Sequence, residues 1–335
     1  MDNIIFHILG FLVCAAIIIF SGTKLSYYGD KIAELTGLGK AWIGLILMAS
    51  VTSLPELVTG ISSVAIIKSP DLAAGDIFGS CMFNLLILSV LDARIKRPLF
   101  SMVKSSHILT VIFGIILLTV AGIAIYLTNQ IPSILWMSSF TFIIIAIYLV
   151  SVWGIFKYEQ ADLIRTGEVN NTYTTFDKAA LKSVIGNYAL HALIVICAAI
   201  FLPYFGEHIA SVSGLGNSFF ATLFIAAATS LPELVVSIAA LRMGSLDMAV
   251  GNLLGSNVFN IFILAIDDVF YREGSLFSAI SPSHLTSVLI IIMMSAVVAL
   301  GLLFKPEKKH FWVFSLDTFI IIVLYILVMM YLFFS

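Results

Sequence analysis

The hexapeptide Thr52-Ser-Leu-Pro-Glu-Leu57 occurs a second time in the chain, as Thr229-Ser-Leu-Pro-Glu-Leu234. The same short blocks surround both copies in the same order. They are Gly37-Leu-Gly39, Gly79-Ser80 and Phe83-Asn84 for the first copy, and Gly214-Leu-Gly216, Gly255-Ser256 and Phe259-Asn260 for the second. The offset is 177 residues for the earlier blocks (229 minus 52) and 176 for the later ones (256 minus 80). Blocks that keep one register in this way indicate an internal duplication.

The composition indicates that most of the chain lies in lipid. Of its 335 residues 61% are hydrophobic and only 11% are charged, which is more apolar surface than a soluble domain of this length buries. The apolar runs reach the roughly 20 residues that a helix needs to cross a hydrocarbon core of about 30 Å. They lack the period-two alternation of a membrane β-barrel, so helices are favoured. We predict ten transmembrane helices, at residues 3–24, 41–67, 72–91, 106–127, 132–155, 183–203, 218–241, 246–266, 284–304 and 311–333.

The basic residues indicate how the chain is oriented. Of the 17 Lys and Arg residues, all but Lys68 and Arg272 lie in segments that follow an odd-numbered span. Because loops rich in Lys and Arg stay in the cytoplasm, both termini are expected outside. The sequence thus predicts an integral protein of the cell membrane, with the polar segment between the fifth and sixth spans in the cytoplasm.

Each repeat contains five predicted spans, and five is odd, so the second repeat enters the membrane from the opposite side. The expected fold is an all-α polytopic membrane protein with ten transmembrane helices in two inverted five-helix repeats. The first repeat is expected at 1–157, a cytoplasmic linker at 158–178 and the second repeat at 179–335. Inverted repeats are typical of secondary transporters, in which substrate sites form near the midplane where helices break.

Two carboxylates lie in the middle of predicted spans, Glu56 in the second and Glu233 in the seventh. A carboxylate at that depth costs a few kcal/mol on insertion scales. It can be structural when a Lys or Arg pairs with it, but the predicted spans contain no Lys or Arg except Lys24, the last residue of the first span. A bound cation is therefore the favoured counter-charge, and two facing carboxylates suit a hard cation such as Ca²⁺ or Na⁺.

A proline precedes each of these glutamates. Pro55 and Pro232 each remove one helical hydrogen bond and leave carbonyl oxygens near Thr52 and Thr229 without their usual donor. This is either a simple kink or a way of presenting carbonyl oxygens to a desolvated cation, and their closeness to a carboxylate favours the second interpretation.

The third and eighth predicted spans carry Ser80 with Asn84 and Ser256 with Asn260. Their i, i+4 spacing places a hydroxyl and an amide on one face of each helix. Such residues could simply form interhelical hydrogen bonds, and Gly75-xxx-Gly79 and Gly251-xxx-Gly255 are patterns typical of closely packed helix faces. Their repetition beside an unpaired glutamate favours a shared cation cavity.

Asp92 and Asp268 are a third repeated pair of acids, at the ends of the third and eighth spans. We interpret them as solvated helix ends, with attraction of cations into two vestibules as the alternative.

Together, Thr52-Ser53-Leu54-Pro55-Glu56 with Gly79-Ser80 and Asn84, and their second copies, resemble the repeats of the calcium/cation antiporter superfamily, which includes the Na⁺/Ca²⁺ exchangers. This resemblance implies that Glu56 and Glu233 bind Ca²⁺ together with the carbonyls of Thr52 and Thr229. It implies that Na⁺ is held by these glutamates and by further hydroxyl and carbonyl oxygens. Those oxygens belong to Ser53, Ser80, Ser230, Ser256, Ala49 and Ala226.

The chain departs from the family pattern in three places. Val51 and Ala228 stand where a glycine is usual, and Cys81 replaces an asparagine. Asn84 and Asn260 are both neutral, whereas several exchangers carry an aspartate in the second copy. The expected site therefore has two formal negative charges, which argues against K⁺ co-transport.

The function expected from the sequence is exchange of Ca²⁺ for Na⁺ by alternating access of a midplane site, in a monomer without a cofactor. The partners are the transported metal cations and the lipid bilayer, with no nucleic acid. Exchange of H⁺ for Ca²⁺, or of another divalent cation such as Mg²⁺, is the alternative within transport. A channel is a further alternative, and an intramembrane aspartyl-type protease would be an enzyme, but the acids would then be aspartates outside a duplicated motif.

Overall fold

A computed structural model describes residues 4–36, 38–127, 130, 132–166, 178–211 and 225–334 of the chain. Within these ranges the regular elements are helices, accompanied by two isolated β-bridges, Ile134 with Met137 and Phe311 with Phe314. Each bridge lies just before the last helix of its half, so the two halves share even this local turn. Gly214 and Gly216 of the repeated pattern lie outside the described residues, as does Gly37.

The helices are numbered here in chain order. The first half contains α1 (Ile4–Thr36), α2 (Lys40–Ile67), α3 (Pro70–Ala93), α4 (Leu99–Met102), α5 (His107–Leu127) and α6 (Ser139–Thr166). The second half contains α7 (Lys178–Ser211), α8 (Ala226–Thr229), α9 (Leu231–Arg242), α10 (Leu246–Phe270), α11 (Leu276–Ala279), α12 (His284–Phe304) and α13 (Leu316–Phe334).

The described residues contain 8 helices that are long and apolar enough to cross a membrane, namely α1, α2, α3, α5, α6, α7, α10 and α12. The apolar part of α13, Leu316–Leu332, is shorter. The predicted span 218–241 begins in residues that are not described and continues as α8 and α9. The protein is thus an all-helical membrane protein, and the remaining two predicted spans correspond to these two segments.

Several helices differ in length from the membrane spans predicted for them. Helix α1 has 33 residues, about 50 Å at 1.5 Å per residue, so it extends well beyond a hydrocarbon core of about 30 Å. Helix α6 begins only at Ser139 and runs on to Thr166, into the segment predicted as a linker, and α7 begins at Lys178. The polar residues that follow the membrane span of α6 are good helix formers, so polarity alone did not mark its end. Residues 167–177 of that linker lie outside the description.

Helices α3 and α10 form the centre of the bundle and are the most deeply buried spans. They pack against each other, and α10 also packs along the whole of α2. Close approach of α10 to α2 depends on Gly251 and Gly255, where an added Cβ would lie 2.6 Å from the carbonyl oxygens of Ala41 and Leu45 respectively. The two backbones therefore touch without intervening side chains, as the small residues of the GxxxG pattern permit.

Asp92 and Asp268 are completely buried, so their interpretation as solvated helix ends is wrong. Asp92 Oδ1 accepts a hydrogen bond from Leu99 N (2.8 Å), and its Oδ2 accepts from Ser315 N (2.8 Å) and Thr318 Oγ1 (2.8 Å). The ammonium group of Lys309 lies 3.4 Å from Asp92 Oδ1. Asp92 thus ties the short helix of its own half to the start of the last helix of the other half.

Asp268 makes the equivalent set of contacts in the opposite direction. Its Oδ1 accepts from Leu276 N at 2.6 Å, and its Oδ2 accepts from Ser138 N at 2.8 Å and from the hydroxyl of Thr141. Each half therefore caps the final helix of the other half. The sequence placed both aspartates at span ends, where a polar residue usually meets water, and gave no sign of these distant partners.

Candidate cation site

The site is built around two interruptions of helical structure. The backbone leaves helical geometry at Ser53 (φ −92°, ψ 9°) and at Ser230 (φ −83°, ψ 6°). In each case a proline follows two residues later, in the first turn of the next segment, where it lacks the N–H that a helix would use. The serine N–H still donates to the carbonyl of Ala49 or Ala226, at 3.0 Å in both copies. The predicted breaks are confirmed, and each spans about one residue.

The two interruptions meet through crossed hydrogen bonds. Ser53 Oγ donates to Glu233 Oε1 at 2.9 Å, and Ser230 Oγ donates to Glu56 Oε1 at 3.3 Å. All four residues have no exposed surface. The structure therefore brings Glu56 and Glu233 into one buried region, with a serine of the opposite half on each carboxylate.

Further hydroxyl groups from both halves surround the carboxylates. Ser256 Oγ donates to Glu233 Oε1 at 3.3 Å, and Ser80 Oγ shares a hydrogen bond of 3.3 Å with Thr229 Oγ1. Thr52 Oγ1 lies 3.3 Å from Asn252 Oδ1, to which it donates. The predicted residues Thr52, Thr229, Ser80 and Ser256 are thus all part of this region, and all are fully buried.

The two asparagines are also buried here. Asn84 Nδ2 donates to Asn257 Oδ1 at 3.1 Å, and Asn257 Nδ2 donates to the carbonyl of Cys81 at 3.2 Å. Asn260 lies one turn beyond Ser256 and is fully buried. The amide oxygen of Asn84 has no donor, so it remains available as an oxygen ligand.

Sequence reasoning missed Asp76, a third buried carboxylate in this region. It lies one turn before Ser80 on α3, and its Oδ1 accepts a hydrogen bond of 3.0 Å from Thr229 Oγ1. Thr229 also shares a hydrogen bond with Ser80, so the carboxylate of Asp76 borders the same site as Glu56 and Glu233. The prediction of two formal negative charges is therefore too low. The residue equivalent to Asp76 (76 plus 176) is Asn252, so this acid is not repeated and the search for repeated polar residues passed over it.

Several oxygen atoms of the site have no hydrogen-bond donor. They are Glu56 Oε2, Glu233 Oε2, Asp76 Oδ2, Asn84 Oδ1 and Asn260 Oδ1. Lys40 and Lys68 pair with acids outside this region, Asp30 and Glu273 respectively. A buried carboxylate without a partner is costly, and a desolvated cation that accepts these oxygens as ligands relieves that cost.

The ligand set that this region offers is dominated by oxygen. Within the described residues, no three Asp, Glu, His or Cys side chains are close enough to hold one metal ion by themselves. Hydroxyl, amide and backbone carbonyl oxygens would have to complete the coordination. Such a mixed set is typical of sites for hard cations and unlike the sulfur and imidazole sites of zinc or copper.

Comparison with solved structures places the fold. The chain matches the sodium-calcium exchanger NCX_Mj with a TM-score of 0.75 at 18% identity, over 98% of this chain and 99% of that one. This likeness shows a shared fold over nearly the whole length of both chains.

Two curated relatives match most of the chain, and a third matches about a third of it. An uncharacterized membrane protein of Methanocaldococcus jannaschii is 26% identical over 85% of this chain and 86% of its own length. The inner membrane protein YrbG of Escherichia coli is 28% identical, with 76% of each chain covered. The sodium/calcium exchanger MaX1 of Methanosarcina acetivorans is 37% identical over 32% of this chain and 33% of its own length.

The model of the sodium/calcium exchanger protein family matches residues 6–157 and 182–334, which include both interruptions and every residue of the cation site. Members of this family are exchangers rather than enzymes, which excludes an intramembrane protease. The two matched segments leave out only the ends of the chain and the segment between the halves. The chain is a membrane transporter that belongs to the sodium/calcium exchanger family.

Proposed function

We propose that the protein exchanges Ca²⁺ for Na⁺ across the cell membrane by alternating access of the central site. The observation that carries this proposal is the crossed arrangement in which Ser53 binds Glu233 and Ser230 binds Glu56, while one oxygen of each carboxylate has no donor. Two buried carboxylates that each keep one oxygen without a donor, and that form no ion pair with a described Lys or Arg, favour a divalent ion as counter-charge.

The residues divide by the ion they would hold. Glu56 and Glu233, with the carbonyl oxygens of Thr52 and Thr229, would bind Ca²⁺. Na⁺ would be held by the same carboxylates and by the remaining oxygens, with Asn84 and Asn260 lining the cavity. Those oxygens belong to Ser53, Ser80, Ser230, Ser256, Ala49 and Ala226.

In this proposal the chain has ten membrane spans in two inverted repeats, 1–157 and 179–335, joined by a cytoplasmic segment at 158–178. Both termini lie outside, and the unit is a monomer. The equivalent contacts of Asp92 and Asp268 support a symmetric relation between the halves. Helices α8 and α9 together with the residues before them, and α13, would supply the two remaining spans.

Alternating access needs part of the bundle to move against the rest. Helices α1 and α7 pack on each other more extensively than on the other helices. Helix α1 also contacts α9, where Ser26 Oγ donates to the carbonyl of Val236 at 2.8 Å. We propose that α1 and α7 slide together over the core formed by α2, α3, α9 and α10, opening the site to one side and then the other.

The test is ⁴⁵Ca²⁺ uptake by liposomes that contain the full chain. We expect uptake when the vesicles hold Na⁺ and the outside does not, and loss of uptake when Na⁺ is equal on both sides. Glu56→Gln is expected to abolish uptake, and Glu273→Gln, which removes an exposed acid, is the matched control.

The same vesicles discriminate the alternative. Uptake that requires a pH gradient and does not depend on Na⁺ would identify H⁺ rather than Na⁺ as the driving ion. Two protons can also neutralise two glutamates. Competition by Mg²⁺ in the same assay decides which divalent cation is preferred. Full uptake by Glu56→Gln would refute the central site itself.

A further inference from the structure

Two buried carboxylates, those of Asp76 at the border of the central site and of Asp267, lie in a series that leads away from that site. Asp267 lies near the end of α10 and has no exposed surface, and neither of its side-chain oxygens has a hydrogen-bond donor. Its neighbour Asp268 is the contrasting case, because both oxygens of Asp268 accept hydrogen bonds that cap helices. Asp267 therefore has no structural role of that kind.

The space beside Asp267 exists because residue 60 is glycine. A Cβ atom on Gly60 would lie 2.7 Å from Asp267 Oδ1 and 2.9 Å from its Cγ, too close for an atom in van der Waals contact. The carboxylate thus lies directly against the backbone of α2, on the side of the break that leads to the turn between α2 and α3.

Asp267 is also linked to the central site. Gly60, which the carboxylate of Asp267 touches, lies one helical turn after Glu56, and Asp76 accepts a hydrogen bond from Thr229 of the central site. Oδ2 of Asp76 has no donor, like both oxygens of Asp267. The ion pair of Lys68 with Glu273 (3.4 Å) places the turn between α2 and α3 at the same end of the bundle as the end of α10. The acids therefore form a series from the centre toward that end.

The equivalent series on the other side of the centre is absent from the sequence. The equivalents of Asp76 and Asp267 are Asn252 (76 plus 176) and Leu91 (267 minus 176). The equivalent of Gly60 is Ser237 (60 plus 177), whose hydroxyl accepts a hydrogen bond of 3.0 Å from Asn252 Nδ2. The two additional carboxylates, Asp76 and Asp267, therefore lie on only one side of the central site.

We propose that Asp76 and Asp267 form a second binding site for a divalent cation, between the central site and the end of the bundle where α2 meets α3. Two carboxylates carry the charge that one divalent ion neutralises, and a hard cation suits their oxygens. The inference rests on the proposed function and deepens it, since an ion on this route would wait beside the central site. The charge distribution of the loops assigns this end to the outer face.

Binding to the detergent-purified full chain tests this site without any transport. Equilibrium dialysis with ⁴⁵Ca²⁺ in Na⁺-free buffer should give two binding phases for the unchanged chain. Asp267→Asn should lose one phase and leave the dissociation constant of the other within about threefold, because the two sites are distinct in space though coupled by charge. Glu56→Gln should instead lose the other phase.

Two further variants keep the result interpretable. Alanine is a good helix former, so Gly60→Ala should fold. Its Cβ displaces the carboxylate of Asp267, so the dissociation constant of the phase that Asp267→Asn removes should rise by about tenfold or more. This variant gives the same answer if Asp267→Asn does not fold. Glu273→Gln removes an exposed acid at the same end and should keep both phases.

One outcome would overturn the proposal. A single phase in the unchanged chain, with an unaltered dissociation constant in Asp267→Asn and Gly60→Ala, would show that Asp267 holds no divalent cation. That result leaves Na⁺-driven uptake through Glu56 and Glu233 untouched. Conversely, two phases without any gradient-driven flux would retain the second site and refute the proposed function.

Discussion

Ser53 donates a hydrogen bond of 2.9 Å to Glu233, a residue of the other half of the chain. The equivalent bond from Ser230 to Glu56 runs the other way. Each carboxylate therefore keeps its position through a hydroxyl of the opposite half, and neither half contains a complete site. Any movement of one interruption relative to the other alters both carboxylates at once.

Glu56→Gln and Glu233→Gln should each lower divalent-cation flux by at least about a hundredfold, because each removes a full charge from a buried site. The amide keeps the size of the side chain and an oxygen for the serine, so the protein should still insert and fold. ⁴⁵Ca²⁺ flux normalised to reconstituted protein measures this effect. Near-normal flux in either variant would contradict the shared site.

Asp76→Asn should raise the Ca²⁺ concentration for half-maximal uptake by about tenfold, since a third carboxylate borders the site of the central pair. Asparagine still accepts the hydrogen bond from Thr229, so stability should change little. The matched variant is Asn252→Asp, which adds a carboxylate at the equivalent position. Equal half-maximal concentrations in Asp76→Asn and the unchanged chain would exclude Asp76 from the site.

Asp92→Ala and Asp268→Ala should each destabilise the fold by at least about 2 kcal/mol, because several buried donors lose their acceptor. Thermal unfolding in detergent, followed by tryptophan fluorescence, measures the loss. Asp71→Ala at the more exposed start of α3 is the control. Unchanged stability with impaired transport would instead support a role of these acids in vestibules.

A single cysteine placed in 158–178 should react with an impermeant thiol reagent only when the cytoplasmic side is accessible. One placed in 208–214 should react from outside. The background needs replacement of Cys14, Cys81 and Cys197. Cys197 is the important one, since it is exposed whereas the other two are buried. The reverse labelling pattern would refute both the orientation and the inverted arrangement.

Membrane potential should affect Ca²⁺ uptake if more than two Na⁺ leave for each Ca²⁺ that enters. A net positive charge then leaves the vesicle in each cycle, so an inside-positive potential should speed uptake into Na⁺-loaded liposomes. The potential is set with K⁺ and an ionophore, and initial rates are compared at opposite polarities. Initial rates that are equal at both polarities but depend on a pH gradient would favour exchange of two protons for each Ca²⁺.

The sequence predicted the repeated motif of the central site, and it missed two acids of the same region that are not repeated. Both interruptions and the meeting of Glu56 with Glu233 followed from a motif that occurs twice. Asp76 and Asp267 were missed because their equivalents are Asn252 and Leu91, so repetition gave no signal. Their role depends on which helices touch, and composition does not encode that.

Errors at helix ends have a different cause. Asp92 and Asp268 were assigned to water because they end apolar runs. Their partners at the last helix of the opposite half lie more than 100 residues away in the chain, beyond any local pattern. The ends of α1 and α6 were misjudged because polar residues can continue a helix outside the membrane. Only tertiary contacts settle such boundaries.

The crossed caps of Asp92 and Asp268 have a consequence for biogenesis. During synthesis from the N-terminus, Asp92 enters its helix long before Ser315 and Thr318 exist, so its Oδ2 lacks these donors until translation is almost complete. Asp268 finds Ser138 and Thr141 already made. The nascent first half must therefore persist while Oδ2 of Asp92 lacks these hydrogen-bond donors. Chaperoning by the insertion machinery would matter most in that interval.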